Sequence, residues 1–148
     1  MKPKIYVAQG VDAHKFLREV LAQNGVFDAK FVYGEQGKPY LKSGELYFNL
    51  SHCDGMAVCG VADREIGVDV QRIKHRPRVA RKVCTAEELA QIETAEDFTR
   101  AWVLKESYAK CDGRGLSLGL KNINTLSLKN SEVWRIGDFL VAACYNID

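Results

Sequence analysis

Apolar positions along the chain recur with two periods, and the alternation between them predicts the elements. "KIYVAQ" (4–9) is a short apolar run that reads as a strand. Over roughly 13 to 24, Phe16, Leu17, Val20 and Leu21 share one helical face, with Asp12 placed to cap and Gly25 to stop the helix. "FVYGEQGKPYL" (31–41) is an extended segment broken by a Gly-rich turn and Pro39. Three strand-like runs follow, "LYFNLSH" (46–52), "MAVCGVAD" (56–63) and "IGVDVQRI" (66–73). Their short connections predict an antiparallel meander. Beyond Pro77 come a short helix over 78–83 and a second over "TAEELAQIE", whose Thr85 and Glu88 form a capping box. A longer helix spans about 96–111 and ends at Gly113, and two or three strands follow near 122–128, 132–136 and 139–145. Helix-then-strand order in both parts predicts an α+β class with antiparallel sheets and packed helices. The expectation is one compact domain, 1–148, with pseudo-halves of about 1–73 and 74–148.

Composition changes this picture little. With 148 residues, 47% of them hydrophobic and 27% charged, the chain has the profile of a globular protein able to bury a core. A net charge of +2 names no partner, but "RIKHRPRVARK" (72–82) is a run of bases without an acid. Its bases are not interleaved with aromatics, which argues against nucleic acid. The five cysteines form no C-x-x-C pair, and Cys and His are not clustered at zinc-ligand spacing. No apolar stretch marks a signal peptide or a bilayer span. The expectation is a reduced, cytoplasmic protein without a membrane association, and a monomer rather than an oligomer.

One position breaks the apolar pattern. In "IGVDVQ" (66–71), Asp69 shares a strand face with Gly67 and Gln71, while Val68 and Val70 point the other way. A carboxylate in a buried strand needs a cation, a metal or hydrogen-bond donors. Gly67 leaves room beside it for a ligand or another backbone. In "WVLKESYAK" (102–110), Ala101, Leu104, Tyr108 and Cys111 make an apolar stripe; Glu106 and Lys110 lie i, i+4 on the other side, beside Trp102 and Val103. Taken singly, Glu106 and Lys110 are a surface pair and Asp69 an edge-strand aspartate. Taken together, oxygen ligands from separate elements suit Mg²⁺, with lysines beside it to neutralise phosphate.

The motifs carry a resemblance. "IGVDVQ", a gap, and "WVLKESYAK" resemble the G-[VI]-D and W-x-x-K-E-[AS]-x-x-K segments of the 4′-phosphopantetheinyl transferases, specifically the Sfp-type branch. "GKPYL" (37–41) ahead of "FNLSH" (48–52), and "DGRGLSLGL" (112–120) after the Lys-Glu helix, add two more elements in order. The resemblance runs from about Tyr33 to Leu120. It implies transfer of the 4′-phosphopantetheine arm of coenzyme A to a serine of an acyl or peptidyl carrier protein, with Mg²⁺ as cofactor and adenosine 3′,5′-bisphosphate as second product. It further implies that Asp69 and Glu106 are metal ligands, with Glu106 also the base. Lys105 and Lys110 match phosphate-contacting lysines, Ser51 and His52 a clamp on the 3′-phosphate of coenzyme A, and Lys38 a lysine near its adenosine end.

Two departures stand beside the match. Gln71 occupies a position where many Sfp-type members have a third metal-binding acid; an amide offers an oxygen without charge. Only 50 residues precede Ser51, which implies a shallower coenzyme A site or one completed by a second chain. The alternative is a relative that binds coenzyme A or a carrier protein without transfer.

Overall fold

The computed structural model describes residues 2–112 and 119–145. Its elements run β1 (Lys4–Gln9), α1 (Ala13–Gln23), β2 (Phe31–Tyr33), β3 (Pro39–Leu41), β4 (Tyr47–Cys53), β5 (Met56–Ala62), β6 (Ile66–Arg72), α2 (Pro77–Val83), α3 (Ala86–Gln91), α4 (Ala95–Asp112), β7 (Ser131–Ile136) and β8 (Phe139–Tyr145). A 3-10 turn covers Leu120–Asn122. The Asp12 carboxylate accepts from Lys15 N at 2.8 Å and starts α1. Thr85 and Glu88 cap α3 reciprocally, as the capping-box spacing predicts.

Two three-stranded antiparallel sheets, in the orders β1-β5-β4 and β6-β8-β7, stand beside a small β2-β3 ribbon. Strands β4 and β5 are joined by Asp54-Gly55, both at positive φ (48° and 84°) between the paired Cys53 and Met56, the two-residue turn whose twist suits a hairpin. The predicted meander ends there. Strand β5 already has β1 on one edge and β4 on the other, so β6 cannot pair with β5 as a meander requires, and it pairs with β8 instead. A division at residue 73 therefore separates β6 from β8, the strand it pairs with.

The pleat sorts the core into layers. One face of the first sheet, through Ala57, Cys59 and Val61, packs with Phe16, Leu17, Val20 and Leu21 of α1. Its other face, through Met56, Val58 and Ala62, meets Ile66, Val68 and Val70 of β6 and Val141 of β8. The outer face of the second sheet lies under α4, where Val103 packs on Leu140 and Ala142. The order is α1, sheet, sheet, α4, and the odd-numbered residues of β6, Asp69 among them, face α4.

Two expectations need correcting. The stretch 122–128 forms no strand, because its backbone groups are committed elsewhere: the carbonyl of Ile123 accepts from Lys105, Thr125 N donates to Glu88, and Leu126 N donates to Asn124. The face of α4 against β6 is also not the predicted stripe. Leu104 and Tyr108 are only half-buried, and Val103, Ser107 and Cys111 line the inner side. The small Ser107 and Gly67 allow the two backbones to approach. The end of α4 is described only to Asp112, so Gly113 and most of "DGRGLSLGL" lie outside the described residues.

Candidate active site

Asp69 sits near the middle of β6, 3% exposed, and three donors converge on it. Ser51 Oγ donates to Oδ1 at 3.0 Å, Lys110 Nζ lies 3.4 Å from the same oxygen, and Gln71 Nε2 donates to Oδ2 at 3.0 Å. Burial pushes the Asp69 carboxyl above its ordinary range; Lys110, Gln71 and Ser51 pull against that shift. Ser51 reaches Asp69 because β4 and β6 are edges of different sheets bridged by side chains. Asn49, two residues before Ser51 and on the same face, accepts from Val68 N at 2.8 Å.

Glu106 arrives from α4. It is half-buried, and its carboxyl is pushed up by burial and then by the charge of Asp69, with Lys110 acting the other way. No described residue hydrogen-bonds it. The two carboxylates, separated by 37 positions in the chain, therefore feel each other's charge across the β6–α4 contact. Beside them, a cavity of about 230 Å³ is lined by Gln36, Gly37, Lys38, Pro39, Asn49, Leu50, Ala109 and Lys110.

The other predicted residues are placed as follows. Lys38 lines the cavity, but its ammonium donates to Glu65 Oε1 at 3.1 Å and to Ile66 O at 2.9 Å. Glu65 is held from the other side by Tyr40 OH at 2.7 Å; burial, then that hydrogen bond, raises the phenol's pKa. Ser51 joins the cluster, whereas His52 points from the opposite face of β4 and is exposed. Lys105 does not join the cluster. It is 0% exposed and pairs with Glu88 at 2.8 Å. Burial works against the charge on Glu88, but Lys105, Thr125 and the backbone of Thr85 outweigh it and hold the carboxyl below its usual range. Asn49, Glu65 and Glu88 are the residues that sequence reasoning missed. The legible signal was Asn49 alternating with Ser51 on one face of an otherwise apolar strand.

Oxygen donors decide which ion this site fits. Among the described residues no group of three or more His, Cys, Asp or Glu gathers to hold a metal. Two carboxylates, with an amide that can turn its oxygen inward, are too few for a closed site, and they suit a hard cation that keeps positions for water and phosphate. The like-charge stress on Glu106 is what such a cation relieves. The residues present fit Mg²⁺.

Fold and site together define an α+β protein with a lysine-flanked pair of carboxylates between a sheet edge and a helix. The profile of the 4′-phosphopantetheinyl transferase superfamily matches residues 65–144, which hold β6, α4 and both carboxylates. This chain belongs to that superfamily. It is 30% identical over 159 aligned residues to 4′-phosphopantetheinyl transferase psf-1 of Bacillus pumilus, covering 93% of this chain and 68% of that protein. It is 27% identical over 139 residues to 4′-phosphopantetheinyl transferase Sfp of Bacillus subtilis, covering 82% and 62%. A further 4′-phosphopantetheinyl transferase of Bacillus subtilis is 31% identical over 102 residues, covering 64% of this chain and 46% of the relative. The match thus spans less than half the length of several curated relatives. No helix among the described residues is long and apolar enough to cross a membrane.

Proposed function

We propose that this chain transfers the 4′-phosphopantetheine group of coenzyme A to a serine of an acyl or peptidyl carrier protein, with Mg²⁺, releasing adenosine 3′,5′-bisphosphate. The observation that carries the reading is Lys110, which lines the same cavity as Lys38 and reaches Asp69 at 3.4 Å, with Glu106 on the same helix near enough to that aspartate to feel its charge. Asp69 and Glu106 would hold the metal, and Gln71 would offer its amide oxygen. Bound there, Mg²⁺ would supply charge stabilisation for the diphosphate. The chain's own groups do the rest. Ser51 and Gln71 fix the Asp69 carboxylate, and Lys110 brings a positive charge for phosphate oxygens. Glu106, half-buried on α4, would take the proton of the carrier serine, directly or through a water. The serine oxygen forms a bond to the phosphorus on the pantetheine side of the diphosphate. The bond from that phosphorus to the bridging oxygen breaks, and adenosine 3′,5′-bisphosphate leaves with the electron pair.

The test is to incubate the protein with coenzyme A, Mg²⁺ and a panel of apo carrier proteins and weigh the carriers. A phosphopantetheine-sized gain supports transfer. Coenzyme A binding without a mass gain on any carrier points to the second reading, a non-transferring binder, which Gln71 in place of an acid favours.

Two expected outcomes follow from particular residues. Gln71 already faces Asp69, so Gln71→Glu adds a charged ligand and should lower the Mg²⁺ concentration giving half-maximal rate. An unchanged or higher requirement in a Mg²⁺ titration would show that this side chain does not serve the metal. In the basic run, Arg72 is tied to Asp54 at 2.9 Å and lies over the Phe139 ring, whereas Arg76, at the N-cap of α2, and Arg78, in its first turn, are exposed. Reversing Arg76 and Arg78 to glutamate should raise the apparent KM for an acidic carrier and reduce its dependence on salt. Kinetics indistinguishable from the parent would remove this run from docking.

A further inference from the structure

Lys105 stands next to Glu106 in the chain but points into a different part of the molecule. Its ammonium donates to Glu88 Oε1 at 2.8 Å, to Leu120 O at 3.0 Å and to Ile123 O. An ammonium has three protons, so these partners use all of them and leave none for a phosphate. Glu88, 2% exposed, is equally committed: Oε1 also accepts from Thr85 N at 2.9 Å, and Oε2 accepts from the backbone and hydroxyl of Thr125. One buried ion pair thus ties α4 to the N-terminal turn of α3 and to the 120–125 segment. On another side of the same helix, Gly67 of β6 lies against the backbone of Ser107 and Cys111. A helix held at two places around its circumference cannot roll about its axis. That roll angle is what aims the short Glu106 side chain towards Asp69, whereas the flexible stem of Lys110 can follow a small roll and keep its charge in place.

We infer that Lys105 is a positioning residue, which through Glu88 and the carbonyls of Leu120 and Ile123 fixes the orientation of α4, and that it does not bind phosphate. The positioning role rests on the proposed transfer reaction; the internal commitment of the ammonium does not. Breaking one partner strands a buried charge, whereas replacing both by apolar side chains of similar size leaves none. Lys105→Met and Glu88→Met should each lower Tm by about 10 °C, and the double variant should lose much less than the sum. By calorimetry the double variant should bind coenzyme A within twofold of the parent. Its kcat should fall at least tenfold with little change in KM for coenzyme A.

Additive Tm losses would overturn the pairing. At least tenfold weaker coenzyme A binding in the folded double variant would overturn the exclusion of phosphate. An unchanged kcat in that variant would overturn the positioning role. Should a single variant not fold, the double variant alone carries the binding and kcat comparison. Should the parent neither bind coenzyme A nor modify a carrier, the functional reading and the positioning role fail together, and the Tm cycle still decides the pairing.

Discussion

Gly67→Ala is expected to cost the protein both stability and transfer activity. A methyl group at this position would lie 2.0 Å from Ser107 O and 2.3 Å from Cys111 N. Both are backbone atoms of α4, so no side chain can turn aside to make room. The only relief is to move β6 and α4 apart, and these are the elements that carry Asp69 and Glu106. Overpacking of this kind costs about 1–3 kcal/mol and occasionally more. A displacement of about 1 Å at a reacting site lowers rates by roughly a hundredfold. Urea denaturation and single-turnover transfer, measured on the same preparation, check the two effects. A variant of parental stability and activity would mean that the helix does not press on the strand as described.

Asp69→Asn is expected to move stability and activity in opposite directions. Burial raises the Asp69 carboxyl above its ordinary range. A carboxyl that holds its proton more tightly in the folded state binds more protons there than when unfolded. Its stabilising contribution is present below the ordinary carboxylate pKa and is lost as pH rises through the raised value. Without metal, the ionised side chain is thus a burden at neutral pH. The amide lifts it, since Oδ1 still accepts from Ser51, and Gln71 can present its oxygen after an amide flip. In EDTA, the variant should therefore be at least as stable as the parent near pH 7, with the difference shrinking as pH falls. Transfer should drop by roughly a hundredfold or more, because a charge aimed at the reacting groups is gone. Thermal unfolding across pH, beside a carrier-modification assay, tests both. A variant that is less stable at neutral pH and more stable at acid pH would contradict the sign.

How much of this was legible depends on how local each cause is. The caps at Asp12 and Thr85, the face of α1 and the strand alternation around Asp69 are written within a few neighbouring residues, and the structure reproduces them. The change of sheet at β6 was not legible, because it depends on β1 having taken the free edge of β5 far along the chain. The fate of Lys105 was hidden for the same reason. A lysine beside Glu106 reads as part of the same motif, and only the distant Glu88, Leu120 and Ile123 turn it inward. Gly67 was half legible: its missing side chain announced a close neighbour, but not that the neighbour is a helix backbone. Ser51 and His52 stood together in the motif, and the pleat of β4 sends them to opposite faces.

Counting divalent ions reaches the heart of the account most directly. Mn²⁺, a spectroscopic substitute for Mg²⁺, can be titrated into the parent chain in the presence of coenzyme A and followed by electron paramagnetic resonance. A single tight ion per chain, lost in both Asp69→Asn and Glu106→Gln, is the predicted result. Retention of that ion at parental affinity in either variant would contradict a metal shared between β6 and α4.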